Sequence, residues 1–284
     1  MNKVLQNKRL VPNLYHLVVE APEVARSARP GQFVMVIPDE KGERIPLNIA
    51  DFDKDRGTVE LVYLVVGVST RKLARIKPGS FLTGVAGPLG RPAEINKEET
   101  VLLVGGCFGL AGLYPVARAL KSEKNKVIFL AEARDKAYLY WEEKIKKVAD
   151  NFLTVFRRDC FDGGEKLEIT IKNIKENYPQ LSRVLIIGCD YLLYKISSLT
   201  ASPGIRTEVF LTPIMVDGTG MCGACRVTVS GKTYFACVDG PIFDGHRLDW
   251  TEYFSRRRAF LRQEELALLH LENLPVEQDE HEQA

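Results

Sequence analysis

The sequence predicts a protein of mixed β and α/β class in three parts. Residues 1–97 are predicted to form an antiparallel β-barrel, residues 98–208 a parallel-sheet domain of the nucleotide-binding type, and residues 209–284 a cysteine-bearing loop with a hairpin and a helix. Three observations support this: short β-rich runs between Gly and Pro, then strands alternating with helical patterns, then three of the six cysteines within sixteen residues.

The composition is that of an ordinary globular protein, with 45% hydrophobic residues and a net charge of +2. This balance lacks the basic surplus typical of nucleic-acid binding. No apolar run approaches the ~18 residues of a membrane span. From the charge balance and the lack of a long apolar run we expect neither nucleic-acid nor membrane partners. Because the remaining cysteines are scattered, we expect a reducing, cytoplasmic environment.

The first part contains β-branched and aromatic runs separated by turns at Pro30-Gly31, Pro78-Gly79 and Gly87-Pro88. Closely spaced short strands with such turns are typical of a small antiparallel barrel. The predicted strands are Tyr15–Glu20, Gly31–Pro38, Thr58–Val66 and Phe81–Val85.

The second part alternates apolar strands with helical patterns, which predicts a parallel sheet covered on both faces. Its first strand ends at Gly105-Gly106 and leads into a helix, and a glycine turn at a helix N-terminus is a phosphate site in such folds. The predicted strands are Thr100–Gly106, Lys126–Ala133, Leu153–Phe156 and Arg183–Cys189.

The third part carries Cys222-Gly-Ala-Cys225, with Cys237 twelve residues later. Three thiols leave a four-ligand site incomplete, and Asp217 is the candidate for the fourth ligand. Reduced thiols in a turn, a structural zinc site and a [2Fe-2S] cluster are all open. The spacing Asp217-x4-Cys222-x2-Cys225 follows the plant-type cluster loop with Asp in the first position, which favours the cluster.

A hairpin with a Ser230-Gly231 turn follows the cysteine loop, and the apolar spacing from Trp250 to Glu272 predicts one helix.

Two segments, Pro213–Val227 and Phe235–Gly245, resemble the ferredoxin–NADP reductase superfamily. Within it the chain is similar to electron-transfer subunits of dihydroorotate dehydrogenase, and more so to small FAD-carrying subunits of NADH-dependent reduced ferredoxin:NADP oxidoreductases. The former have Cys where Asp217 stands and the latter have Asp. The resemblance implies a [2Fe-2S] cluster held by the four residues Asp217, Cys222, Cys225 and Cys237.

The resemblance also implies an FAD site on two segments of the barrel. Asn48 takes a Ser/Thr position whose side chain bonds the isoalloxazine edge or a phosphate, and a small Gly with hydroxyls cradles the pyrophosphate. Alternatively, Arg44 is merely solvated at a loop end and residues 67–70 form an ordinary turn. The implied FAD residues are Arg44, Pro46, Leu47, Asn48, Ile49, Gly67, Ser69 and Thr70.

A site for NAD(H) is implied at Gly105, Gly106, Cys107, Gly109 and Ala111. The chain departs from the family pattern there, with Cys107 in place of a third Gly, Gly112 in place of a Pro, and a different sequence at 189–193. Cys107 is expected to be a small residue packed at the turn. Arg134 either contacts an adenosine phosphate or is simply exposed beside Asp135.

The function implied by the resemblance is an electron-transfer flavoprotein subunit without a conventional acid–base residue. It would pass electrons between a pyridine nucleotide, FAD and a [2Fe-2S] cluster to a larger flavin and iron–sulfur partner subunit, with electron bifurcation between NADH, ferredoxin and NADP as a further role. The alternatives are a non-catalytic subunit that keeps flavin and cluster but binds no nucleotide, and a zinc-stabilised regulatory module.

Overall fold

The computed structural model describes residues 1–40, 42–157, 164–202 and 204–273. Its N-terminal part is a seven-stranded antiparallel sheet with the strand order β6-β1-β2-β5-β4-β3-β7. The two edge strands follow each other in the chain, so the sheet curls into a nearly closed barrel and confirms the prediction. The elements are β1 Asn2–Val11, β2 Leu14–Glu20, α1 Pro22–Ser27, β3 Phe33–Ile37, β4 Ile45–Asp53, β5 Thr58–Leu64, α2 Val68–Arg75, β6 Phe81–Leu82 and β7 Gly84–Leu89.

The central sheet has five parallel strands in the order β10-β9-β8-β11-β12, confirming the predicted parallel sheet. The strand order reverses between β8 and β11, and ligands of such sheets bind where the carboxyl ends diverge at this point. The elements are β8 Thr100–Gly106, α3 Gly109–Ser122, β9 Lys126–Ala133, a 3-10 turn Lys136–Tyr138, α4 Glu142–Lys146, β10 Asn151–Phe156, α5 Glu165–Asn177, β11 Leu181–Ile187, α6 Asp190–Ala201 and β12 Arg206–Phe210.

The C-terminal region packs on both other parts. Its elements are β13 Arg226–Val229, β14 Lys232–Phe235, β15 Ile242–Asp244, α7 Trp250–Arg257 and α8 Leu261–Asn273. The hairpin β13–β14 turns at Ser230 and Gly231, both with positive φ, as predicted. Strand β15 pairs antiparallel with β12, so this region adds a strand to the central sheet.

The prediction of one helix from Trp250 to Glu272 is wrong, because the chain forms α7 and α8 with a break at 258–260. Hydrogen bonds of the i→i−3 type, such as Arg258 N–H to the Ser255 carbonyl, tighten the end of α7. Each piece keeps helical apolar spacing, but Tyr253 on α7 is buried while Leu266 on α8 is exposed. None of the helices in the described ranges is long and apolar enough to cross a membrane.

Candidate functional site

Asp217 is held by the backbone of its own loop. Its Oδ1 accepts a hydrogen bond from the Thr219 N–H at 2.9 Å, and its Oδ2 accepts one from the Cys222 N–H at 2.8 Å. The Thr219 N–H, followed by that of Cys222, lowers the pKa of Asp217 to about 2. The carboxylate is therefore ionised at neutral pH and suited to serve as an anionic ligand.

The other donors divide into an exposed and a buried part. Cys222 is exposed, whereas Cys225 and Cys237 are buried with their sulfur atoms 3.2 Å apart. Burial, followed by the hydrogen bond with Cys225, raises the pKa of Cys237 to about 12, so a metal must displace its proton.

The four donors thus form two pairs, Asp217 with Cys222 and Cys225 with Cys237. Within the described residues, no three His, Cys, Asp or Glu side chains converge as ligands of one ion. A two-iron cluster shares its four protein ligands between two irons, so this arrangement fits [2Fe-2S] better than zinc.

The ligand loop lies directly on the barrel. Gly218 has φ +77°, and an added Cβ would lie 2.7 Å from the Met35 Cγ on β3. Gly220 has φ +86°, and an added Cβ there would lie 2.7 Å from the Val238 Cγ2. Only Gly meets both requirements, positive φ and close approach, so Gly218 lets the loop lie against β3 and Gly220 lets it lie against Val238.

Strand β4 presents its predicted residues on two opposite faces. Leu47 and Ile49 point into the barrel core, so only their backbone is available to a ligand. Asn48 points the other way and is 8% exposed, and its Nδ2 has no hydrogen-bond partner in the described part of the chain. A buried amide without a partner is costly, so it marks a place where a polar ligand edge fits. Pro46 is half-buried and Arg44 is exposed.

The second predicted flavin segment begins α2. The Thr70 hydroxyl accepts hydrogen bonds from the Val66 and Gly67 N–H groups and donates to the Gly67 carbonyl, so it caps the helix. Ser69 donates to Glu43 at 3.3 Å. An added Cβ at Gly67 would have no atom within 4 Å, which leaves room for a ligand phosphate at this turn.

The predicted flavin strand β4 and the predicted cluster loop are separated by one strand, β3. Met35 is the cross-strand partner of Pro46, and its side chain contacts Gly218 of the loop. On the other side, an added Cβ at Gly112 on α3 would lie 3.0 Å from the Asn48 Nδ2. The barrel, the central sheet and the ligand loop therefore meet around β3 and β4.

The predicted nucleotide turn at the end of β8 is tightly packed. An added Cβ at Gly109 would overlap the Ile187 carbonyl, and one at Gly105 would lie 3.0 Å from the Leu110 Cα. Cys107 has φ +53° and is exposed, so the expectation that it packs in the turn is wrong. The positive φ turns this residue outward at the carboxyl edge of the sheet.

Sequence reasoning missed Tyr140 at this turn. Its hydroxyl donates to the Cys107 carbonyl at 2.8 Å and accepts a hydrogen bond from the Ala111 N–H at 3.2 Å. Burial raises the pKa of Tyr140 well above its usual range, so it stays protonated. One of the free N–H groups at the start of α3 is therefore already bonded.

The pair Glu132 and Arg157 was also missed. An Arg157 Nη2–Glu132 Oε1 ion pair of 2.9 Å is buried beside Gly106. Burial raises the pKa of Glu132, and the Arg157 charge opposes that shift. Nearby, Arg134 lines a cavity with Lys136 and Lys166 at the carboxyl ends of β9 and β10.

Comparison with known proteins identifies the family. Residues 212–249 match the iron-sulfur cluster binding domain of dihydroorotate dehydrogenase B. The chain is 40% identical over 268 residues to a dihydroorotate dehydrogenase B (NAD(+)) electron transfer subunit homolog of Thermotoga maritima, with 94% of each chain covered. The chain belongs to the family of these electron transfer subunits and their homologs. It is also 40% identical over 283 residues to an uncharacterized protein in the adh 3' region of Clostridium beijerinckii, which covers 96% of this chain and 95% of the relative.

Two solved structures extend this result. A chain of an NADH-dependent reduced ferredoxin-NADP oxidoreductase, studied for flavin-based electron bifurcation, has a TM-score of 0.87 and 36% identity and covers 95% of this chain and 98% of its own. Phthalate dioxygenase reductase has a TM-score of 0.59 at 13% identity, covers 87% of this chain and 77% of its own, and shows only the shared fold. These comparisons confirm the predicted family and fold class and support FAD and a [2Fe-2S] cluster as cofactors.

Proposed function

We propose that the chain is the electron-transfer flavoprotein subunit of a larger oxidoreductase, passing electrons between a pyridine nucleotide and a partner subunit. Bound FAD supplies the chemistry, since a flavin exchanges two electrons with a nicotinamide and single electrons with an iron–sulfur centre. One observation carries the proposal: Met35 is paired with Pro46 on the flavin strand and contacts Gly218 in the cluster loop. The two redox groups would therefore lie on either side of one strand.

Specific residues have defined tasks in this proposal. The Asn48 amide binds a polar edge of the isoalloxazine, and the turn at Gly67 with the start of α2 receives the pyrophosphate. Asp217, Cys222, Cys225 and Cys237 would hold the [2Fe-2S] cluster as two ligand pairs, Asp217 with Cys222 and Cys225 with Cys237. The cluster loop reaches the surface at Met221, which is 89% exposed, so this is where electrons would leave the chain.

We infer the partner subunit and the wider reaction from the similar proteins. The similarity to electron transfer subunits supports a larger flavin and iron–sulfur partner, and the structure with 36% identity supports electron bifurcation between NADH, ferredoxin and NADP. We also propose a cytoplasmic location, which is supported by cysteines that are clustered as ligands or scattered rather than arranged as a disulfide framework.

Replacing Asn48 with Ala should weaken flavin binding by about tenfold while leaving the flavin-free protein at least as stable as the wild type. The substitution removes a ligand contact from the holoprotein, but it also removes a buried amide nitrogen without a partner, which costs about 1–3 kcal/mol. Flavin titration by fluorescence and thermal unfolding of the deflavinated protein would measure both effects.

The matched control is Asn96→Ala, since Asn96 is a polar residue in the segment that links the barrel to β8 and donates to Glu99. It should leave flavin affinity unchanged. Wild-type flavin affinity in Asn48→Ala would exclude the proposed contact.

A second candidate function, without nucleotide binding, is favoured by Tyr140. Its hydroxyl already occupies the Ala111 N–H that a pyrophosphate would use at the start of α3. Against it, Arg134, Lys136 and Lys166 line a basic cavity at the same sheet edge, which suits the adenosine phosphates of a dinucleotide.

Anaerobic titration with NADH and NADPH separates the two functions. We expect NADH or NADPH to bleach the flavin absorbance, followed by the EPR signal of a reduced [2Fe-2S] cluster. Unchanged flavin absorbance at millimolar concentrations of both nucleotides would exclude the nucleotide-dependent function and leave the second one. Analysis of iron, labile sulfide and flavin in the same sample should give one flavin and one two-iron cluster per chain.

A further inference from the structure

Two arginines point at the short loop between Cys222 and Cys225. The Arg256 Nη2 donates to the Ala224 carbonyl at 2.9 Å, and the Arg226 Nη1 lies 3.4 Å from the Gly223 carbonyl. Arg256 is partly buried on α7, whereas Arg226 is exposed at the start of β13. The loop that supplies two of the four cluster ligands therefore has a cationic group at each of its internal carbonyls.

The position of Arg256 is fixed by the anchoring of α7. Tyr253 donates its hydroxyl to the Asp190 Oδ1 at 3.0 Å, and Arg257 donates its Nε to the Asp190 Oδ2 at 3.1 Å. At the start of the helix, the Asp249 N–H donates to the Thr228 carbonyl of β13 at 2.9 Å. Because α7 is tied at both ends, the Arg256 guanidinium is held at the cluster loop rather than moving freely in solvent.

Three consecutive arginines thus have three different environments. Arg256 contacts the cluster loop, Arg257 binds Asp190, and Arg258 is exposed after the end of α7. A solvated charged face would leave all three in similar surroundings. The difference indicates that Arg256 is placed to bind the backbone of the loop between Cys222 and Cys225.

We propose that Arg256 is a positioning residue that holds the Cys222–Cys225 loop and raises the reduction potential of the cluster through its positive charge. The proposal rests on the [2Fe-2S] site of the proposed function. A cluster with four anionic ligands is net negative, and it becomes more negative when it accepts one electron. No bond forms or breaks at Arg256. A nearby guanidinium stabilises the reduced form more than the oxidised form, which raises the potential.

The test measures the midpoint potential of the cluster in the full chain by an EPR-monitored titration with dithionite. Arg256→Gln should lower the midpoint, reducing the equilibrium constant for reduction by about three- to tenfold, where tenfold corresponds to about 59 mV for one electron. Arg256→Lys keeps the charge and should lie nearer to the wild type. Arg226→Gln should have a smaller effect because Arg226 is exposed, and Arg258→Gln should have none.

Each result decides the question. A wild-type midpoint in Arg256→Gln, or equal midpoints in Arg256→Gln and Arg256→Lys, would overturn the role of the charge. If Arg256→Gln loses the cluster, Arg256 is shown to hold the loop, and the second cation at the loop then tests the charge: a wild-type midpoint in Arg226→Gln would overturn tuning. Absence of iron, labile sulfide and an EPR signal from the wild type would instead refute the proposed function itself.

Discussion

The variant Cys237→Ala should retain its flavin and lose its [2Fe-2S] cluster. Cys237 is 2% exposed, and its sulfur lies 3.2 Å from that of Cys225, so alanine removes one of two adjacent thiols at a place that admits little solvent to replace it. The proposed flavin residues lie on β4 and at the start of α2 and do not include Cys237, so the substitution leaves them unchanged. Iron and labile sulfide in the purified protein should fall to background, while the flavin spectrum remains.

A matched control is Cys189→Ala, which removes a half-buried cysteine at the start of α6 that is not one of the four proposed ligands. It should keep both cofactors. The companion variant Asp217→Cys should keep the cluster with a changed EPR spectrum, because thiolate is a softer and stronger electron donor than carboxylate. An intact cluster in Cys237→Ala would exclude Cys237 as a ligand.

The variant Gly109→Ala should be the most destabilising single methyl addition in the described glycine turns. The added Cβ would overlap the Ile187 carbonyl. The carbonyl is a backbone group of β11, so no flexible side chain can move aside to make room. Overpacking costs about 1–3 kcal/mol and more where the neighbour is rigid. We take about 3 kcal/mol, the upper end of this range, because the neighbour is backbone. With roughly 2–4 °C of Tm per kcal/mol for a chain of this size, we expect a loss of about 6–12 °C in thermal unfolding.

The matched control is Gly67→Ala, where an added Cβ would have no atom within 4 Å and φ is −127°. Its flavin-free form should unfold at the wild-type temperature, although its flavin affinity should fall because the methyl group enters the space left for a phosphate. A wild-type Tm in Gly109→Ala would show that α3 can shift away from β11.

The sequence is most informative where chemistry is local. Spacing alone brought Asp217, Cys222 and Cys225 into one loop, because two or four intervening residues leave the chain few ways to separate them. The pairing of Cys225 with Cys237 depends on the register of the β13–β14 hairpin. The contact of Gly218 with Met35 depends on the barrel, which lies far away in the chain. Local spacing therefore predicts the donors but not their arrangement.

Side-chain contacts explain two departures from the family pattern, Gly112 and the sequence at 189–193. An added Cβ at Gly112 would lie 3.0 Å from the Asn48 Nδ2, so any larger residue would press on the amide. Asp190 anchors α7 through Tyr253 and Arg257. Neither relation can be read from sequence, because the partners lie more than sixty residues away.

Strand β12 was missed for a related reason. Its sequence looks polar, yet Thr207 and Glu208 are buried, and Glu208 forms an ion pair with the buried Arg183 of β11. Hydrophobic periodicity cannot reveal a strand whose buried charge is neutralised by a neighbouring strand. Helix α6 was also missed, although its sequence carries the apolar spacing of a helix. Leu192, Leu193 and Ile196 follow that spacing, and all three are buried.

The contact between Gly218 and the barrel has a consequence for protein engineering. The segment 212–249 carries all four proposed cluster ligands but not the wall on which its loop rests, since that wall is Met35 and Leu89 of the barrel. Its strand β15 also completes the edge of the central sheet beside β12. The segment therefore cannot be transferred to another protein by itself. Excised or grafted alone, it would expose the apolar surface that contacts the barrel. Its removal would also leave β12 as an open edge of the central sheet in the donor protein. A working chimera would have to exchange β3, β7 and β12 together with it.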